Sequence, residues 1–560
     1  MERKKHVTDN VPLQSKMDLF QEIHRKIKPA DQGSSFSEER TKMKSLLLLS
    51  TILLFHICNV ENANILAVFP LVHKSHYVMY QKLLEGLLAK GHTIDVLGGI
   101  PPSQEKSVPG ITYINLVDVP ELDLPVFTIK ELRDFTVHTN MNFMFREGAE
   151  PACKDVFNSN VVKNLRDSKK KYDLLLMEIF ICDCFYGFAH TFKAPIVSVI
   201  SSSDLPWGSY RIGNPDNPSY IPNYFNGLKP YESLKDRFWN TVTYLQTKLM
   251  HRWYIQAQTK IARDFFGEDM PDLNYIIGNT SVLLINSHFT INSARPTVPN
   301  FVEVGGLHIE TPKSLDKELL DFIGKDKFIY FSFGSLANAA LFEEDVMQAI
   351  MDAFSEVKYN VIWKANRSEI AGNIRIPPNV LMRPWLPQLS ILCHPNNSLF
   401  LTHSGLLGTQ EAVHCGVPML CMPLFADQYQ NCRNMINRKV AKSLKPEKIN
   451  REELSNTIKE LIQDPSYKEN AKILSEQFKD RNMPPLETAI YWVEYAIRHK
   501  GAPQLKSPAN SLNWYQYLLL DVIGILVLLC LISLICIYYM LRFLLRFLRK
   551  KKARISNKRE

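Results

Sequence analysis

A strand–helix–strand alternation, repeated along the chain, is the feature that most restricts the folds open to this sequence. It first occurs as an apolar strand at Ile65–Phe69, an amphipathic helix over about Tyr77–Lys90 and a second strand at Thr93–Leu97. Strands joined through a helix in this way pair in parallel through a right-handed crossover. The order recurs in both halves of the 560 residues, a chain too long for one hydrophobic core. We predict two doubly wound α/β domains, at residues 64–300 and 301–500, with a ligand cleft beyond the carboxyl ends of their strands.

Two apolar segments predict how the chain meets a membrane. The first, Leu46–Ile57, follows Lys44 and precedes a small residue, Ala63. Because it is too short to cross a bilayer comfortably, residues 43–63 are predicted to be a secretory signal peptide. Residues 1–42 precede it as an extension without an interpretable motif, and its status stays open at this point.

The second apolar segment, Tyr517–Leu541, is long enough to span a bilayer and has aromatic residues at both boundaries. The tail behind it, residues 542–560, holds nine Lys/Arg and one Glu, so +8 of the net charge of +9 lies there. A basic flank of this kind stays in the cytosol, which predicts a single-pass type I membrane protein with a lumenal body. Lys558, third from the end, favours the endoplasmic reticulum membrane. The nearly neutral remainder argues against a nucleic-acid partner.

The cysteines suggest no metal site. The seven that lie outside the predicted signal peptide and the second apolar segment lack the spacings that chelate zinc, so no metal is predicted. Because seven is an odd number, at least one thiol stays free even if the others pair. Most are expected to be buried as small apolar residues. These cysteines are Cys153, Cys182, Cys184, Cys393, Cys415, Cys421 and Cys432.

A window from Trp385 to Gln428 combines a turn and a helix that suit a bound anion. A strand ends there in the turn His403-Ser404-Gly405, and a helix follows. The first N–H groups and the dipole of such a helix attract an anion such as a diphosphate. Glycine in the turn lets the backbone approach that anion closely.

The side chains of this window suit the remaining parts of a nucleotide. His403 and Thr409 can donate to phosphate oxygens. Glu411, one turn into the helix, can accept from two vicinal hydroxyls such as those of a ribose. Trp385 offers a flat face to a base. Each residue alone is weak evidence, and their joint order is the signal.

Taken in order, W-x-x-Q at Trp385, T-H-x-G at His403, the glutamate eight residues later and the closing D-Q at Asp427 resemble a family signature. The family is that of the UDP-glycosyltransferases, which includes the glucuronosyltransferases, and the resemblance covers about residues 64–545. It implies two Rossmann-like domains in the GT-B arrangement. It also implies that a UDP-sugar binds the C-terminal domain and a small lipophilic acceptor the N-terminal domain.

By this resemblance, ten residues of the C-terminal domain contact the UDP-sugar. Trp385 would stack on uracil, Gln388 would contact uracil or ribose, and Glu411 would hold the ribose hydroxyls. The diphosphate would lie among Ser335, His403, Gly405 and Thr409, and the sugar hydroxyls would meet Asp427 and Gln428. Lys364 stands where many relatives carry arginine, which keeps the charge without the planar fork. Leu407 stands where many carry asparagine, so one contact near the diphosphate is absent.

The resemblance implies a catalytic base in the N-terminal domain, and His76 occupies its position after the first strand. Histidine suits general-base work near neutral pH, and a carboxylate beside it would orient the ring. In the family this carboxylate is usually an aspartate at the end of a later strand. Alignment on Lys171-Tyr-Asp-Leu puts Glu178 there, with Asp183 five residues on as the competitor. The sequence leaves the choice between them open.

These observations predict a metal-independent, inverting hexosyltransferase that uses no cofactor. The donor is expected to be UDP-glucose, because Asp427-Gln428 suits neutral sugar hydroxyls, although UDP-glucuronate stays open. The alternative is a catalytically silent membrane protein of the same fold that binds a UDP-sugar or another ligand. A homo-oligomer is compatible with the sequence.

Overall fold

The computed structural model describes residues 62–70, 74–98, 108–116, 119, 131, 136–334 and 342–556. The predicted extension at 1–42, nearly all of the predicted signal peptide and Ser335 lie outside these ranges.

The first sheet has seven parallel strands in the order β3-β2-β1-β4-β5-β6-β7. Strand order reverses between β1 and β4, which creates a topological switch point, the usual place for a ligand in such sheets. The strands are β1 (Asn64–Phe69), β2 (Thr93–Gly98), β3 (Ile111–Ile114), β4 (Leu174–Glu178), β5 (Ile196–Ile200), β6 (Thr280–Ile285) and β7 (Phe301–Glu303).

The second sheet has six parallel strands in the order β10-β9-β8-β11-β12-β13, with its own switch point between β8 and β11. The strands are β8 (Phe328–Ser332), β9 (Asn360–Lys364), β10 (Val380–Arg383), β11 (Asn397–Thr402), β12 (Met419–Cys421) and β13 (Ala441–Ser443). Two doubly wound parallel sheets confirm the predicted fold class.

Helices cover both faces of each sheet, and alternate strand residues enter different cores. In β1, Leu66 and Val68 join one core while Ile65 and Ala67 join the other. The α-helices are α1 (Lys74–Ala89), α2 (Val137–Asn142), α3 (Glu150–Asn158), α4 (Asn160–Arg166), α5 (Phe188–Phe192), α6 (Leu234–Phe266), α7 (Leu273–Ile277), α8 (Phe289–Asn292), α9 (Lys317–Ile323), α10 (Glu344–Glu356), α11 (Gln388–Leu392), α12 (Leu406–His414), α13 (Gln428–Asn437), α14 (Arg451–Gln463), α15 (Pro465–Lys479), α16 (Pro485–Arg498), α17 (Trp514–Tyr517) and α18 (Leu520–Ser556). A π-helix spans Phe143–Ala149, and 3₁₀-helices span Asp183–Gly187, Ser209–Ile212, Arg367–Glu369, Pro446–Lys448, Pro503–Leu505 and Pro508–Ser511.

The chain returns to the first sheet after completing the second. Helix α16 lies in the stretch predicted to belong to the C-terminal domain, yet Ala489, Ile490 and Val493 pack into the core beside β1. A Cβ on Gly86 of α1 would lie 2.8 Å from Ile490, so the two helices touch through the glycine. The C-terminal part of the chain therefore belongs structurally to the N-terminal domain.

Two disulfides correct the expectation that most cysteines are simply buried. Cys153 pairs with Cys184 and Cys393 with Cys415, with Cα–Cα distances of 6.2 and 4.7 Å. Both distances lie in the range that a disulfide can bridge. The expectation holds for the buried free cysteines Cys182, Cys421 and Cys432.

Among the described residues, α18 is the helix long and apolar enough to cross a membrane. Its apolar stretch, within Leu520–Lys552, has a mean hydropathy of 3.0 and is not buried by the protein. The helix begins three residues after the predicted start at Tyr517, where α17 ends, and continues through the basic residues that follow.

A buried ion pair ties the segment after β4 to the loop after β5 and to α6. Asp183 Oδ1 accepts a hydrogen bond from Arg211 Nη2 at 2.7 Å, and Oδ2 lies 3.1 Å from Nε2 of His251 on α6. Although burial alone would raise the pKa of Asp183, Arg211 and His251 bring it below its usual value. All three side chains are at most 3% exposed, and the Asp183 carboxylate relies on Arg211 and His251 for its polar contacts.

Removing Asp183 should therefore damage the fold. In Asp183→Ala the Arg211 charge is left buried without its partner, which we expect to cost about 3–5 kcal/mol of unfolding free energy. The midpoint of thermal unfolding of the full chain in detergent, followed by tryptophan fluorescence, measures this. Asp269→Ala is the matched control, because that side chain is 83% exposed beside His190. A midpoint equal to that of the control would contradict the structural role.

Candidate active site

Parallel pairing of β1 with β4 brings the N-terminal candidates together. In the register of this pair, Val68 lies opposite Met177, so the residues that follow both strands emerge at the same edge of the sheet. Glu178 is the last residue of β4. His76 lies in the first turn of α1, which starts three residues earlier than predicted, and not in the preceding loop.

His76 and Glu178 form a hydrogen bond of 2.9 Å between Nδ1 and Oε1. A carboxylate can only accept, so Nδ1 carries the proton and Nε2 is the basic nitrogen of the ring. The Tyr80 hydroxyl donates to the same carboxylate oxygen at 2.8 Å and fixes it from the other side. The edge of the Phe180 ring packs on the imidazole, with 4.9 Å between ring centroids. The arrangement holds the ring in one orientation while the His76 side chain stays 14% exposed.

Asp183, the competing partner for His76, is not in this group. Its two carboxylate oxygens contact Arg211 and His251, in the buried ion pair described above. The 3₁₀-helix that begins at Asp183 turns the chain away from the end of β4. The carboxylate that the structure brings to His76 is that of Glu178.

In the C-terminal domain, the His403-Ser404-Gly405 turn has the shape that an anion site requires. Ser404 adopts a positive φ of 67°, and Gly405 is the residue before α12. The His403 ring lies against two glycines, since a Cβ on Gly334 or Gly405 would come within 2.8 and 2.5 Å of it. Burial, together with the Lys364 charge, lowers the pKa of His403 to about 4. The ring is therefore neutral near pH 7 and donates through one nitrogen only.

Glu411, within α12, forms a hydrogen-bonded pair with Gln388, the first residue of α11. Gln388 Nε2 donates to Glu411 Oε2 at 2.5 Å, and the Tyr330 hydroxyl donates to Gln388 Oε1 at 3.2 Å. Burial raises the pKa of Glu411 to about 7, although Gln388 and Lys364 oppose the rise. A ligand that donates hydroxyl hydrogens to this carboxylate would favour its ionised form.

Trp385 and Lys364 lie together at the edge of the second sheet. The indole of Trp385 is 66% exposed, and Nζ of Lys364 lies 4.8 Å from its ring centroid. The same ammonium donates to the Gly334 carbonyl at 2.9 Å. A flat aromatic face beside a fixed cation suits a base followed by a phosphate.

Asp427 and Gln428 lie at the start of α13, beside the His403 turn. Asn431 donates one hydrogen bond to Asp427 Oδ2 at 3.0 Å and another to the Ser404 carbonyl at 3.1 Å, and so links the two. Burial raises the pKa of Asp427 to about 6, while Asn431 and the charge of His76 act against the rise. Asp427 therefore lies within electrostatic reach of His76.

The side-chain carbonyl oxygen of Gln428 is already hydrogen-bonded within the protein. Oε1 accepts from the backbone N–H groups of Leu424 at 2.8 Å and Phe425 at 3.2 Å. Its amide nitrogen is therefore the atom suited to a sugar hydroxyl, and it can only donate.

Thr409 is the predicted contact that the structure does not bring to the cleft. Its side chain is fully buried, and Oγ1 donates to the Gly405 carbonyl at 3.0 Å. The hydroxyl thus closes the first turn of α12. Leu407, in the same turn, adds no polar group. Ser335 lies outside the described residues.

Three polar residues of the site were missed from the sequence. Tyr80 lies one helical turn after His76, and Asn431 one turn after Asp427, a spacing that could have indicated both. Gln410 joins the domains, because its amide accepts from Gly306 N–H at 2.9 Å and donates to the Asn286 carbonyl at 3.1 Å. No local pattern signals this third role.

Comparison with known proteins agrees with this geometry. Residues 65–555 match the family model described as UDP-glucoronosyl and UDP-glucosyl transferase. The chain is 36% identical over 490 residues to UDP-glucosyltransferase 2 of Dactylopius coccus, covering 86% of this chain and 93% of that protein. It is 31% identical over 470 residues to UDP-glucuronosyltransferase 2B14 of Oryctolagus cuniculus, covering 80% and 86%.

A solved structure supports the fold. A UDP-glucosyltransferase from Polygonum tinctorium, described as capable of glucosylating indoxyl, superimposes with a TM-score of 0.53 at 15% identity, covering 78% of this chain and 99% of its own. With the match to the family model over most of its length, the chain belongs to the UDP-glucuronosyl- and UDP-glucosyltransferase family and is a UDP-glycosyltransferase.

Proposed function

We propose that this enzyme transfers glucose from UDP-glucose to a hydroxyl of a small lipophilic acceptor, with inversion and without a metal ion. His76 is the general base and Glu178 its positioning residue. The observation that carries the proposal is the His76–Glu178 hydrogen bond, which lies within electrostatic reach of Asp427. This hydrogen bond orients the basic nitrogen of His76, and Asp427 is a residue that the family resemblance assigns to the sugar.

The proposed reaction is one displacement at the anomeric carbon. The acceptor oxygen forms a bond to that carbon as its proton passes to Nε2 of His76. The bond from the anomeric carbon to the UDP oxygen breaks, and its electron pair leaves with the diphosphate. The imidazolium that forms is stabilised by Glu178 through Nδ1–H. The N-terminus of α12 and the Lys364 ammonium offset the charge on the departing diphosphate.

Glucose is favoured as the donor sugar by the chemistry around Asp427. An ionised Asp427 accepts hydrogen bonds from neutral hydroxyls, whereas the carboxylate of a glucuronosyl group would be repelled beside it. The similarity to UDP-glucosyltransferase 2 of Dactylopius coccus supports the same donor.

We assign the catalytic body to the lumen of the endoplasmic reticulum, with α18 as the anchor and the basic tail in the cytosol. The tail of nine Lys/Arg directly after the apolar segment favours this orientation. The Cys153–Cys184 and Cys393–Cys415 disulfides favour an oxidising compartment.

Substitutions of the His76 pair test the catalytic role. His76→Ala should lower kcat by about 10²–10⁴-fold, because no group takes the acceptor proton. Glu178→Gln should lower it by roughly 10²-fold or more, because an amide no longer stabilises the imidazolium. Microsomes that contain the full chain, incubated with radiolabelled UDP-glucose and a panel of phenols, provide the measurement.

Binding separates this effect from misfolding. Both variants should keep the wild-type affinity for UDP-glucose in isothermal titration, since neither residue contacts the nucleotide in the proposed complex. If the wild type binds UDP-glucose without transfer and His76→Ala behaves identically, the protein is the silent binding protein instead.

Affinity for UDP-glucose should rise with pH. Burial places the pKa of Glu411 at about 7 in the free protein, and ribose hydroxyls that donate to its carboxylate would lower this pKa on binding. Ligand binding then expels a proton below pH 7, so affinity should increase roughly tenfold from pH 6 to pH 8. Isothermal titration across this range measures the increase.

Glu411→Gln should bind UDP-glucose more weakly and retain only the smaller rise in affinity due to Asp427. An equally steep profile in this variant would refute the assignment.

A donor screen tests the choice of sugar. Among UDP-glucose, UDP-galactose and UDP-glucuronate, we expect the highest kcat/KM for UDP-glucose and the lowest for UDP-glucuronate. Asp427→Asn, which removes the repelling charge, should narrow the gap between UDP-glucose and UDP-glucuronate. Preferential turnover of UDP-glucuronate by the wild type would reject the proposed donor.

A further inference from the structure

Helix α6 turns its apolar side chains outward. Seven large apolar residues along it are between 37% and 74% exposed: Leu234, Phe238, Trp239, Val242, Leu245, Leu249 and Trp253. At 3.6 residues per turn, all but Trp239 fall within an arc of about 100°, and the row is about 28 Å long. We refer to these seven residues as the outer stripe. An exposed apolar surface of this extent marks a contact with a protein or a membrane.

The buried face of α6 is largely polar, since five of its eight buried residues are polar and the other three are Tyr254, Ile255 and Ala262. Asn240, Thr247, His251, Gln258 and Thr259 are all buried there. Asn240 accepts from the backbone N–H of Asn223 at 2.8 Å and donates to the carbonyl of Pro218 at 2.7 Å. Gln258 donates to the Ile181 carbonyl at 2.8 Å. A helix on the surface of a soluble domain has the opposite arrangement, with its apolar face toward the core.

Charged residues on α6 suit an anionic surface. Between residues 234 and 260 the helix holds five Lys/Arg and one Asp: Lys235, Arg237, Lys248, Arg252, Lys260 and Asp236. Tryptophans and leucines flanked by basic residues are typical of helices that lie in the headgroup region of a bilayer.

The start of the anchor lies beside α6. In the segment before α17, Asn510 Nδ2 donates to the Arg211 carbonyl at 3.1 Å. In the loop that follows Arg211, Asp216 accepts from the hydroxyl of Tyr244 on α6 at 3.1 Å and pairs with Lys248. Burial, Asp216 and the nearby Tyr517 of α17 raise the pKa of Tyr244. The chain thus enters α18 close to the N-terminal half of α6.

We propose that the outer stripe lies in the interface of the bilayer that α18 crosses, so that the catalytic body rests on the membrane through α6. The inference rests on the membrane anchoring proposed above. A bilayer is favoured over a second copy of the chain because the stripe adjoins the anchor and carries basic residues. Trp514, 66% exposed just before α18, extends the same aromatic boundary.

Three variants of the full chain, each with one exposed cysteine available for labelling, test this. In the stripe reporter and its control, Cys58→Ser, Cys530→Ser and Cys536→Ser remove the cysteines of the signal and anchor segments, while the disulfides and buried thiols remain. Leu249→Cys reports on the stripe. Ile473→Cys on α15, an exposed apolar residue of the C-terminal domain, is the matched control. The third reporter carries only Cys58→Ser and Cys536→Ser, so that Cys530 is retained and reports on the anchor. Each protein is labelled with the fluorophore NBD and placed in phosphatidylcholine–phosphatidylserine nanodiscs.

Quenching by nitroxide lipids and by aqueous iodide then gives the environment of each label. We expect nitroxide lipids to quench the labels at 249 and 530 several-fold more than the label at 473, with iodide showing the reverse. An iodide-accessible label at 249 with a lipid-quenched label at 530 would overturn the inference and leave the anchoring intact. Iodide access at 530 would reject the anchoring itself. Shielding of 249 from both quenchers, with bismaleimide joining two chains through it, would assign the stripe to a second copy and overturn the bilayer contact.

Discussion

Parallel pairing of neighbouring strands is the constraint on which both halves of the site depend. All strands of a parallel sheet end at the same edge, so the residues that follow them converge there without being close in sequence. His76 and Glu178 are 102 residues apart, yet β1 and β4 bring them to 2.9 Å. In the second sheet, β9 and β11 likewise end in Lys364 and lead into His403. The proximity of these candidate residues is thus a product of parallel strand pairing.

Burial gives the acidic residues two different roles. Asp183 is buried with Arg211 and His251, and these partners lower its pKa, so the group is complete within the protein. Glu411 and Asp427 are also buried, but burial outweighs their few hydrogen bonds and raises their pKa values to about 7 and about 6. A carboxylate that can still accept further hydrogen bonds would be stabilised in its ionised form by a ligand with several hydroxyl groups. This contrast separates an acid whose hydrogen bonds are completed within the protein from acids that can still accept hydrogen bonds.

The sequence predicted the sheets well, because strands depend on short-range patterns, and the nucleotide-binding residues that it predicts depend on a pattern of the same kind. Apolar runs such as Phe328–Ser332 fix the strands, and the order from Trp385 to Gln428 follows one stretch of the chain. The choice between Glu178 and Asp183 could not be made, since it depends on a 3₁₀ turn that redirects the chain within five residues. The burial of Thr409 was also unpredictable, because a threonine after a glycine turn can point either way.

Longer-range features left no local signal. The return of α16 to the first sheet requires knowing that its apolar face meets α1 and not its sequence neighbours. The α6 periodicity predicted a helix, but periodicity gives two faces without saying which one is buried. Only the contacts of Asn240 and Gln258 show that the polar face points inward.

The reversed orientation of α6 also bears on where the acceptor comes from. A body held by α18 alone could rotate about one helix and tilt freely above the membrane. A second contact through the outer stripe would fix the N-terminal domain against the bilayer over about 28 Å of helix. Because α6 belongs to the domain that carries His76, this contact would hold the acceptor side of the cleft near the membrane. Lipophilic molecules concentrate in that phase because apolar surface leaves water favourably. In that arrangement the proposed lipophilic acceptor would reach the cleft from the bilayer, and the nucleotide donor would reach it from water.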